Sequence, residues 1–494
     1  MRQFDKLFMK AGSMTGTLIK SIVILLISFY SLSCQNIRDD HDVTGNWIST
    51  VDWFQFVIRV SDREDGSFEV YFDLPGDEAW DIPVDIYASD SSGLLFDIFN
   101  IRCKYQGVFN EGGDTILGKF IGPDGDSMAI NLVRTDSPPV RISKRPQEPE
   151  KPYPYKSENV RFMNRTDDIE LQGTLTIPDT QKPCRAVILV SGSGPNDRDQ
   201  LIWGHRTFLV LSDYLTRHGI AVLRYDDRGV GRSEGNYDEA SFADFSSDAL
   251  AACEYLMTRS EIDPGRIGLL GHSEGGAVAP MAASVSEDIS FVVLLAAPGN
   301  NSISGEKSSL ISQFENNYRN RGASEEAINF KCRLLYRIFI IAREEEENLA
   351  REKIRELLTE NEATLLSLSE EDRKIIEMES AESYDIEWVL STRFLNVLKY
   401  DPQATLSEVS CPVLALHGTK DRQIPVDDLQ WIEQALIKGG NKDYTTERIE
   451  GLNHLFQTAE SGDPSEYSKI EETIAPEALK LISDWILHFE KKSV

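Results

Sequence analysis

The sequence predicts an α/β fold, a mostly parallel sheet with helices on both faces, preceded by a small antiparallel all-β domain. After residue 157, buried apolar runs such as RAVILVSG, AVLRYD and RIGLLG alternate with amphipathic runs such as FADFSSDALAACEYLMTR, which is the pattern of a parallel sheet covered on both sides. Before residue 136, short strand-like runs recur about every ten residues between turn signals such as EGGD and GPDGD. This spacing indicates an antiparallel sandwich or partial barrel.

The composition is that of a large acidic protein. The chain has 494 residues, of which 41% are hydrophobic, enough for one large core and a smaller one. Its 51 basic and 81 acidic side chains give a net charge of −30, which opposes non-specific binding to nucleic acid. We therefore expect a soluble body with no nucleic-acid partner.

The first residues have the pattern of an export signal, which we place at residues 1–33. Basic residues precede an apolar run from Ile22 to Leu32 that is too short to span a bilayer, and small residues follow it. The start is Met1 or Met14, and the alternative is a buried strand or helix at the edge of a domain. The pattern predicts an exported, cell-envelope protein.

SLSC, which ends at Cys34, resembles a relaxed bacterial lipoprotein cleavage box, although Ser31 stands where leucine is usual. Acylation of Cys34 would anchor the chain to a membrane, with residues 34–43 as a polar tether. The other cysteines are scattered singly and predict neither a metal site nor a disulfide framework; they are Cys103, Cys184, Cys253, Cys332 and Cys411.

Composition also sets the domain boundaries. The β-rich domain occupies residues 44–135 and shows no carboxylate pair or histidine cluster. Residues 136–157 are rich in proline with alternating charge and are interpreted as a linker, so the α/β domain spans residues 158–494. We expect three tryptophans of the β-rich domain to pack in its core rather than face a ligand: Trp47, Trp53 and Trp80.

An insertion interrupts the α/β pattern at about residues 301–402. About a hundred residues separate FVVLLAAPG from PVLALHG, and part of them has the apolar spacing of helices. We expect a helical cap that sets substrate size and excludes water from a site beneath it. The acidic run Glu344 to Glu347 is more consistent with a solvated helix face than with a site for a substrate amine.

GLLGHSEGG, from Gly268 to Gly276, is a candidate nucleophile turn. A GxSxG pattern also arises by chance, but here a buried strand precedes Ser273 and an apolar helix follows it. Strand, sharp turn and helix together would hold the serine hydroxyl clear of the sheet. Ser273 is therefore the predicted nucleophile, and it needs a base.

His454 is the best candidate for that base, because it follows a short strand late in the chain and lies in a loop at the expected edge of the sheet. The histidines that fit less well are His41, His205, His218, His272, His417 and His488. Asp421, in the turn after PVLALHG, is the predicted acid that orients the imidazole. Asp427 and Asp428 lie further into the next helix and rank lower.

Two backbone N–H groups are expected to stabilise an oxyanion. One belongs to Glu274, at the start of the helix. The other belongs to the SGSGPNDRD loop after strand RAVILV, where Pro195 has no N–H and Ser193 is preferred over Gly194. A phosphate-binding loop is the alternative, but no Lys-Ser/Thr pair follows.

Five segments in this order carry a family resemblance: SGSGPNDRD, YDDRGVGRS, GHSEGG, HGTKDRQIP and EGLNHLFQ. From about residue 157 to the end, the chain resembles the α/β-hydrolase superfamily, in particular EstD-like carboxylesterases and serine aminopeptidase-like hydrolases. The resemblance implies an α/β-hydrolase fold in which Ser273, His454 and Asp421 are the catalytic triad, while Asp227 and Arg228 fix neighbouring loops.

The resemblance also implies hydrolysis of small-molecule esters with short or medium acyl chains, through an acyl-enzyme and without metal or organic cofactor. Two alternatives stay open at this point. One is a serine exopeptidase or amidase with the same triad; the other is a surface binding protein whose hydrolase body is inert.

Overall fold

The computed structural model describes residues 42–489, with short gaps at 52–53, 64, 78, 89–92, 124, 142–144, 181, 302 and 304–307. The export signal, Cys34 and nearly all of the tether lie outside the described residues, so export, lipidation and location stay predictions. Among the described residues, no helix combines the length and apolarity needed to cross a bilayer. The chain divides into two compact units, the first made of residues up to 144 with 201–205 and 230–232, the second of the remaining residues.

Unit 1 contains one continuous ten-stranded antiparallel sheet, in the order β4-β3-β2-β1-β10-β8-β7-β6-β5 with β9 beside β8. Its strands are β1 (Gly45–Ser49), β2 (Val57–Asp62), β3 (Phe68–Leu74), β4 (Ala79–Pro83), β5 (Asp85–Ala88), β6 (Leu94–Ile98), β7 (Cys103–Phe109), β8 (Thr115–Ile121), β9 (Ser127–Ala129) and β10 (Leu132–Thr135). Short 3₁₀ turns lie at Pro75–Asp77 and Phe99–Ile101.

The core of unit 1 is aromatic and lies on one face of the sheet. Residues of β7 alternate between buried and exposed, as expected for a strand with one solvated face. Trp47 is fully buried and its indole N–H donates to the carbonyl of Val43 at 2.8 Å. Trp80 is also buried, whereas Trp53 lies outside the described residues. The two described tryptophans therefore serve packing.

Unit 2 is built on an eight-stranded sheet in the order β11-β12-β16-β13-β17-β18-β19-β20. Its strands are β11 (Lys156–Asn164), β12 (Ile169–Ile177), β13 (Cys184–Val190), β16 (Ala221–Tyr225), β17 (Ile262–His272), β18 (Val292–Leu295), β19 (Val413–Gly418) and β20 (Tyr444–Ile449). The pairs from β16 to β20 are parallel and those of β11, β12 and β16 antiparallel. A short hairpin, β14 (Leu201–Ile202) and β15 (His205–Arg206), follows β13 along the chain, and its residues 201–205 belong to unit 1. The predicted mostly parallel sheet is confirmed.

Helices cover this sheet because its central strands are apolar throughout. Every residue of β16, β18 and β19 is buried, so both faces of these strands need a covering layer. The helices of the hydrolase body are α1 (Thr207–Arg217), α2 (Phe242–Met257), α3 (Gly275–Val285), α10 (Pro402–Ser407), α11 (Asp428–Lys438) and α12 (Pro476–His488). A 3₁₀ segment lies at Pro464–Lys469.

A helical cap is inserted between β18 and β19. Its helices are α4 (Ser309–Asn320), α5 (Glu325–Glu344), α6 (Glu347–Ser367), α7 (Glu370–Ile375), α8 (Ile386–Leu390) and α9 (Thr392–Lys399), with a 3₁₀ turn at Ala381–Ser383. These helices bury their own apolar cluster, which runs from Ile303 and Ile311 to Leu398. The cap therefore has a core separate from that of the sheet.

The proline-rich segment is partly fixed to unit 2. The Arg145 guanidinium donates to the carbonyl of Ser468 at 2.8 Å, and the Gln147 amide donates to that of Ile474 at 2.7 Å. Gln147 also accepts from the N–H of Thr473 at 2.6 Å. Residues 145–147 of the predicted linker are thus hydrogen-bonded to the segment before α12.

Candidate active site

Ser273 lies in a strained turn between β17 and α3. Its φ of +54° falls in the left-handed region, which non-glycine residues rarely adopt. Two backbone hydrogen bonds hold the turn in place. The Ser273 N–H donates to the carbonyl of Leu295 at 2.9 Å, and the Gly276 N–H donates to the carbonyl of Ser273 at 2.8 Å. The side chain is partly accessible, as a nucleophile requires.

The glycines around Ser273 allow backbone to approach backbone. A Cβ on Gly271 would lie 2.0 Å from the carbonyl oxygen of Gly275, and one on Gly275 would lie 2.2 Å from that of Val190. A Cβ on Gly276 would lie 2.3 Å from the Cβ of Ala297. Since α3 packs this closely on β13 and β17, only glycine fits at these positions.

Three side chains meet at the carboxyl edge of the sheet. Nε2 of His454 lies 3.0 Å from Oγ of Ser273, and its Nδ1 lies 2.7 Å from Oδ2 of Asp421. A carboxylate only accepts, so Nδ1 carries the proton and Nε2 is free to accept the serine proton. The three residues follow the ends of β17, β19 and β20. These strands are parallel, so their carboxyl ends lie at the same edge of the sheet.

Asp421 serves two purposes. Its Oδ1 accepts from the N–H of Gln423 at 2.7 Å and of Ile424 at 3.0 Å, which closes the turn after β19, while Oδ2 faces His454. The side chain is fully buried. Burial opposes the charged form, but the charge and hydrogen bond of His454 and the turn N–H groups hold the pKa of Asp421 below its ordinary value.

Both predicted oxyanion donors lie in loops that frame Ser273. Glu274 has helical φ and ψ directly before α3. The Asn196 amide donates to the carbonyls of Gly192 at 2.9 Å and Gly194 at 2.7 Å, and because a trans peptide directs C=O and N–H oppositely, the Ser193 N–H points away from Asn196. Within the described chain, neither N–H has a hydrogen-bonded acceptor. Both donors are available to a ligand.

Asp227 braces the loop that carries Ser193. Its carboxyl lies 2.5 Å from Oγ of Ser191 and accepts from the N–H of Asn196 at 2.9 Å. Burial, together with the carboxylates of Glu274 and Asp248, raises the pKa of Asp227 to about 8, against the opposite effect of its hydrogen bonds. At neutral pH this group is a buried neutral carboxylic acid.

We expect Asp227→Asn to raise the stability of the protein at pH 8 more than at pH 5. Between pH 4 and pH 8 the folded state keeps the Asp227 proton while the unfolded chain, with a pKa near 3.8, releases it, so rising pH favours unfolding. An asparagine amide can donate to Ser191 and accept from Asn196 without this cost. Urea unfolding at both pH values measures the difference. The exposed Asp179→Asn control should show no such pH dependence, and an equal effect of Asp227→Asn at both pH values would contradict the assignment.

His272 has a structural role that the sequence did not reveal. Its Nε2–H donates to the backbone carbonyl of His454 at 3.0 Å, and its Nδ1 accepts from the buried Gln200 amide at 3.0 Å. Burial, reinforced by nearby His454, lowers the pKa of His272 to about 3, so the ring is neutral. In the sequence, the only indication of this role was the position of His272 next to Ser273. His272 ties the loop of the predicted base to the nucleophile turn.

The lower-ranked candidates lie elsewhere. Asp427 is exposed beside Arg448, and Asp428 is buried, accepting from the N–H groups of Gly299 and Asn300 at 2.8 and 3.3 Å. Burial raises the pKa of Asp428 to about 6. Of the acidic run, Glu344, Glu345 and Glu347 form ion pairs with bases of the cap: Arg343, Lys353 and Arg351. The three glutamates are therefore already paired with neighbouring basic side chains.

The histidines, cysteines and carboxylates of the chain are also possible metal ligands. In the described ranges, no group of three His, Cys, Asp or Glu side chains is arranged to hold a metal ion. The described cysteines are free thiols, buried except for the partly exposed Cys411.

The sheet order, the strained serine turn and the cap insertion together define an α/β-hydrolase. Residues 187–467, more than half of the chain, match the profile described as the alpha/beta hydrolase family. The chain belongs to this family, and the fold predicted from the sequence is confirmed.

Two curated proteins and one solved structure illustrate what this chain is similar to. Esterase EstD of Thermotoga maritima is 26% identical over 304 residues, which cover 60% of this chain and 61% of EstD. Putative hydrolase YtaP of Bacillus subtilis is 32% identical over 130 residues, 23% of this chain and 44% of YtaP. The solved Pyrococcus furiosus esterase Pf2001 has 15% identity and a TM-score of 0.40, covering 71% of this chain and 98% of that one. The chain thus spans less than two thirds of the curated relatives it matches, and the predicted likeness to EstD is confirmed.

Proposed function

We propose that the protein is a serine carboxylesterase. The observation that carries the proposal is the continuous hydrogen-bonded series from Oγ of Ser273 through His454 to Asp421, with separations of 3.0 and 2.7 Å. A serine hydroxyl is a weak nucleophile until a base removes its proton, and an imidazole oriented by a carboxylate is such a base. Similarity to an esterase supports the same reaction class.

In the proposed reaction, Oγ of Ser273 attacks the ester carbonyl as its proton passes to Nε2 of His454. The carbonyl oxygen becomes an oxyanion, which the N–H groups of Glu274 and Ser193 stabilise. The bond to the alcohol then breaks, and the His454 proton goes to the leaving oxygen. Water then attacks the acyl group as one of its protons passes to Nε2 of His454. The bond to Oγ breaks as His454 gives that proton to Oγ, which releases the acid and restores the Ser273 hydroxyl.

The substrate class is a small-molecule ester with a short or medium acyl chain. An exopeptidase would use the same triad and would need an anionic site for the substrate amine. The acidic run of the cap does not favour that alternative, because three of its four glutamates already pair with arginine or lysine. An inert binding protein is disfavoured by an accessible serine held at hydrogen-bond distance from an imidazole.

A fluorophosphonate probe and two chromogenic substrates test the proposal. We expect wild-type protein to react with the probe and to cleave p-nitrophenyl butyrate, and Ser273→Ala to do neither. An aminoacyl p-nitroanilide, assayed in parallel, identifies an exopeptidase if it is cleaved faster than the ester. A folded protein that neither reacts with the probe nor cleaves either substrate would overturn the proposal.

A further inference from the structure

The cap reaches the nucleophile turn through one buried cation. Arg393 of α9 donates through Nη2 to the Glu274 carboxylate, in a close ion pair, and to the hydroxyl of Tyr237 at 3.0 Å. Both members of the ion pair are largely buried, with 15% and 12% of their side chains exposed. Cap and turn are therefore joined directly beside Ser273.

Aromatic rings fix the position of this guanidinium. Cζ of Arg393 lies 4.7 Å from the ring centroid of Tyr237 and 4.8 Å from that of Phe245, and Phe242 is 6.0 Å away. Rings at these distances attract a cation through their faces. Arg393 is thus held by stacking as well as by its carboxylate partner, and its planar group suits both contacts.

Glu274 makes this cation important for the proposed chemistry. Its backbone N–H is a proposed oxyanion donor, and its carboxylate lies only a few bonds away on the same residue. An unpaired carboxylate there would repel the negative charge that develops on the substrate oxygen, strongly so in a site of low dielectric. The second carboxyl close by, that of Asp227, is neutral at pH 7 and adds no such repulsion.

We propose that Arg393 is a positioning residue of the cap that neutralises Glu274 and so makes the oxyanion site competent only when the cap is seated on the nucleophile turn. The inference rests on the proposed function. Arg393 acts through Glu274 and Tyr237, and α9 thereby couples cap placement to the reactivity of Ser273.

The test is a set of charge substitutions measured with p-nitrophenyl butyrate. We expect Arg393→Met to lower kcat roughly tenfold or more, with a smaller change in KM, because an unpaired charge opposes the transition state. The double variant Arg393→Met with Glu274→Gln should regain most of the lost kcat relative to Arg393→Met alone, since the repelling charge is gone. Arg393→Lys, which keeps the cation but loses the planar group that stacks on Tyr237 and Phe245, should give a kcat between that of Arg393→Met and that of wild type.

Controls separate this inference from the proposed function. Arg319→Met removes a cap arginine whose ion pairs with Glu315 and Glu325 are exposed, and it should match wild type. If Arg393→Met is folded and equals wild type, or if the double variant is no better than Arg393→Met, the inference is overturned. Probe labelling of wild type reports separately on the proposed function, because it requires a reactive Ser273 whatever the effect of Arg393.

Discussion

Asp421→Asn is expected to lower kcat for ester hydrolysis by about four orders of magnitude without unfolding the protein. Oδ1 of an asparagine can still accept from the N–H groups of Gln423 and Ile424, which hold the turn at 2.7 and 3.0 Å. Its amide N–H would then face Nδ1 of His454. A donor there forces Nδ1 to accept, so the ring proton moves to Nε2 and His454 loses its ability to take the proton of Ser273.

Steady-state kinetics with p-nitrophenyl butyrate measure this effect, and circular dichroism confirms the fold. Asp427→Asn is the matched control, since that neighbouring carboxylate is exposed and pairs only loosely with Arg448 at 3.3 Å; it should retain wild-type kcat. A folded Asp421→Asn variant with less than a tenfold loss would mean that another group orients His454.

Gly275→Ala is expected to have the second large effect, on stability and activity together. Its Cβ would meet the carbonyl oxygens of Val190 at 2.2 Å and Ser191 at 2.6 Å. These are backbone atoms that cannot rotate away, so α3 must shift, and the free energy of unfolding should fall by about 3 kcal/mol. The shift also separates the N–H of Glu274 from the Ser193 loop, which should lower kcat about a hundredfold.

Urea unfolding and kcat, measured on one preparation, check this prediction. Gly265→Ala is the control, because a Cβ at Gly265 would meet only the Asp263 carboxylate at 3.5 Å, and it should leave both quantities close to wild type. Wild-type kcat in Gly275→Ala would show that the exact placement of α3 is unimportant for the site.

Local patterns in the sequence pointed to the three residues whose side chains the structure brings together after β17, β19 and β20. Ser273 and Asp421 each follow a buried apolar strand, and His454 follows the short, more polar strand β20, so their convergence follows from the geometry of a parallel sheet. The interior strands β16, β18 and β19 could also be predicted, because each is a buried apolar run. β1, β4 and β5 of unit 1 are short and of mixed polarity, and β11 alternates with many exposed polar residues, so none of them stands out as an apolar run.

The supporting contacts could not be predicted, because they join side chains far apart in the chain. His272 reaches the carbonyl of His454 across 182 positions, and Arg393 reaches Glu274 across 119. No periodicity encodes such pairs. The break between α5 and α6 near Glu345 was also hidden, since the apolar spacing continues on both sides of it.

The left-handed backbone of Ser273 also limits how the thermal stability of this protein can be increased. A non-glycine residue in that region costs on the order of 1–2 kcal/mol, which the packing of unit 2 has to offset. Laboratory selection for heat resistance alone would consequently enrich substitutions that remove the strain in this turn and, with it, the proposed catalytic activity. Selection schemes need to score turnover in every round.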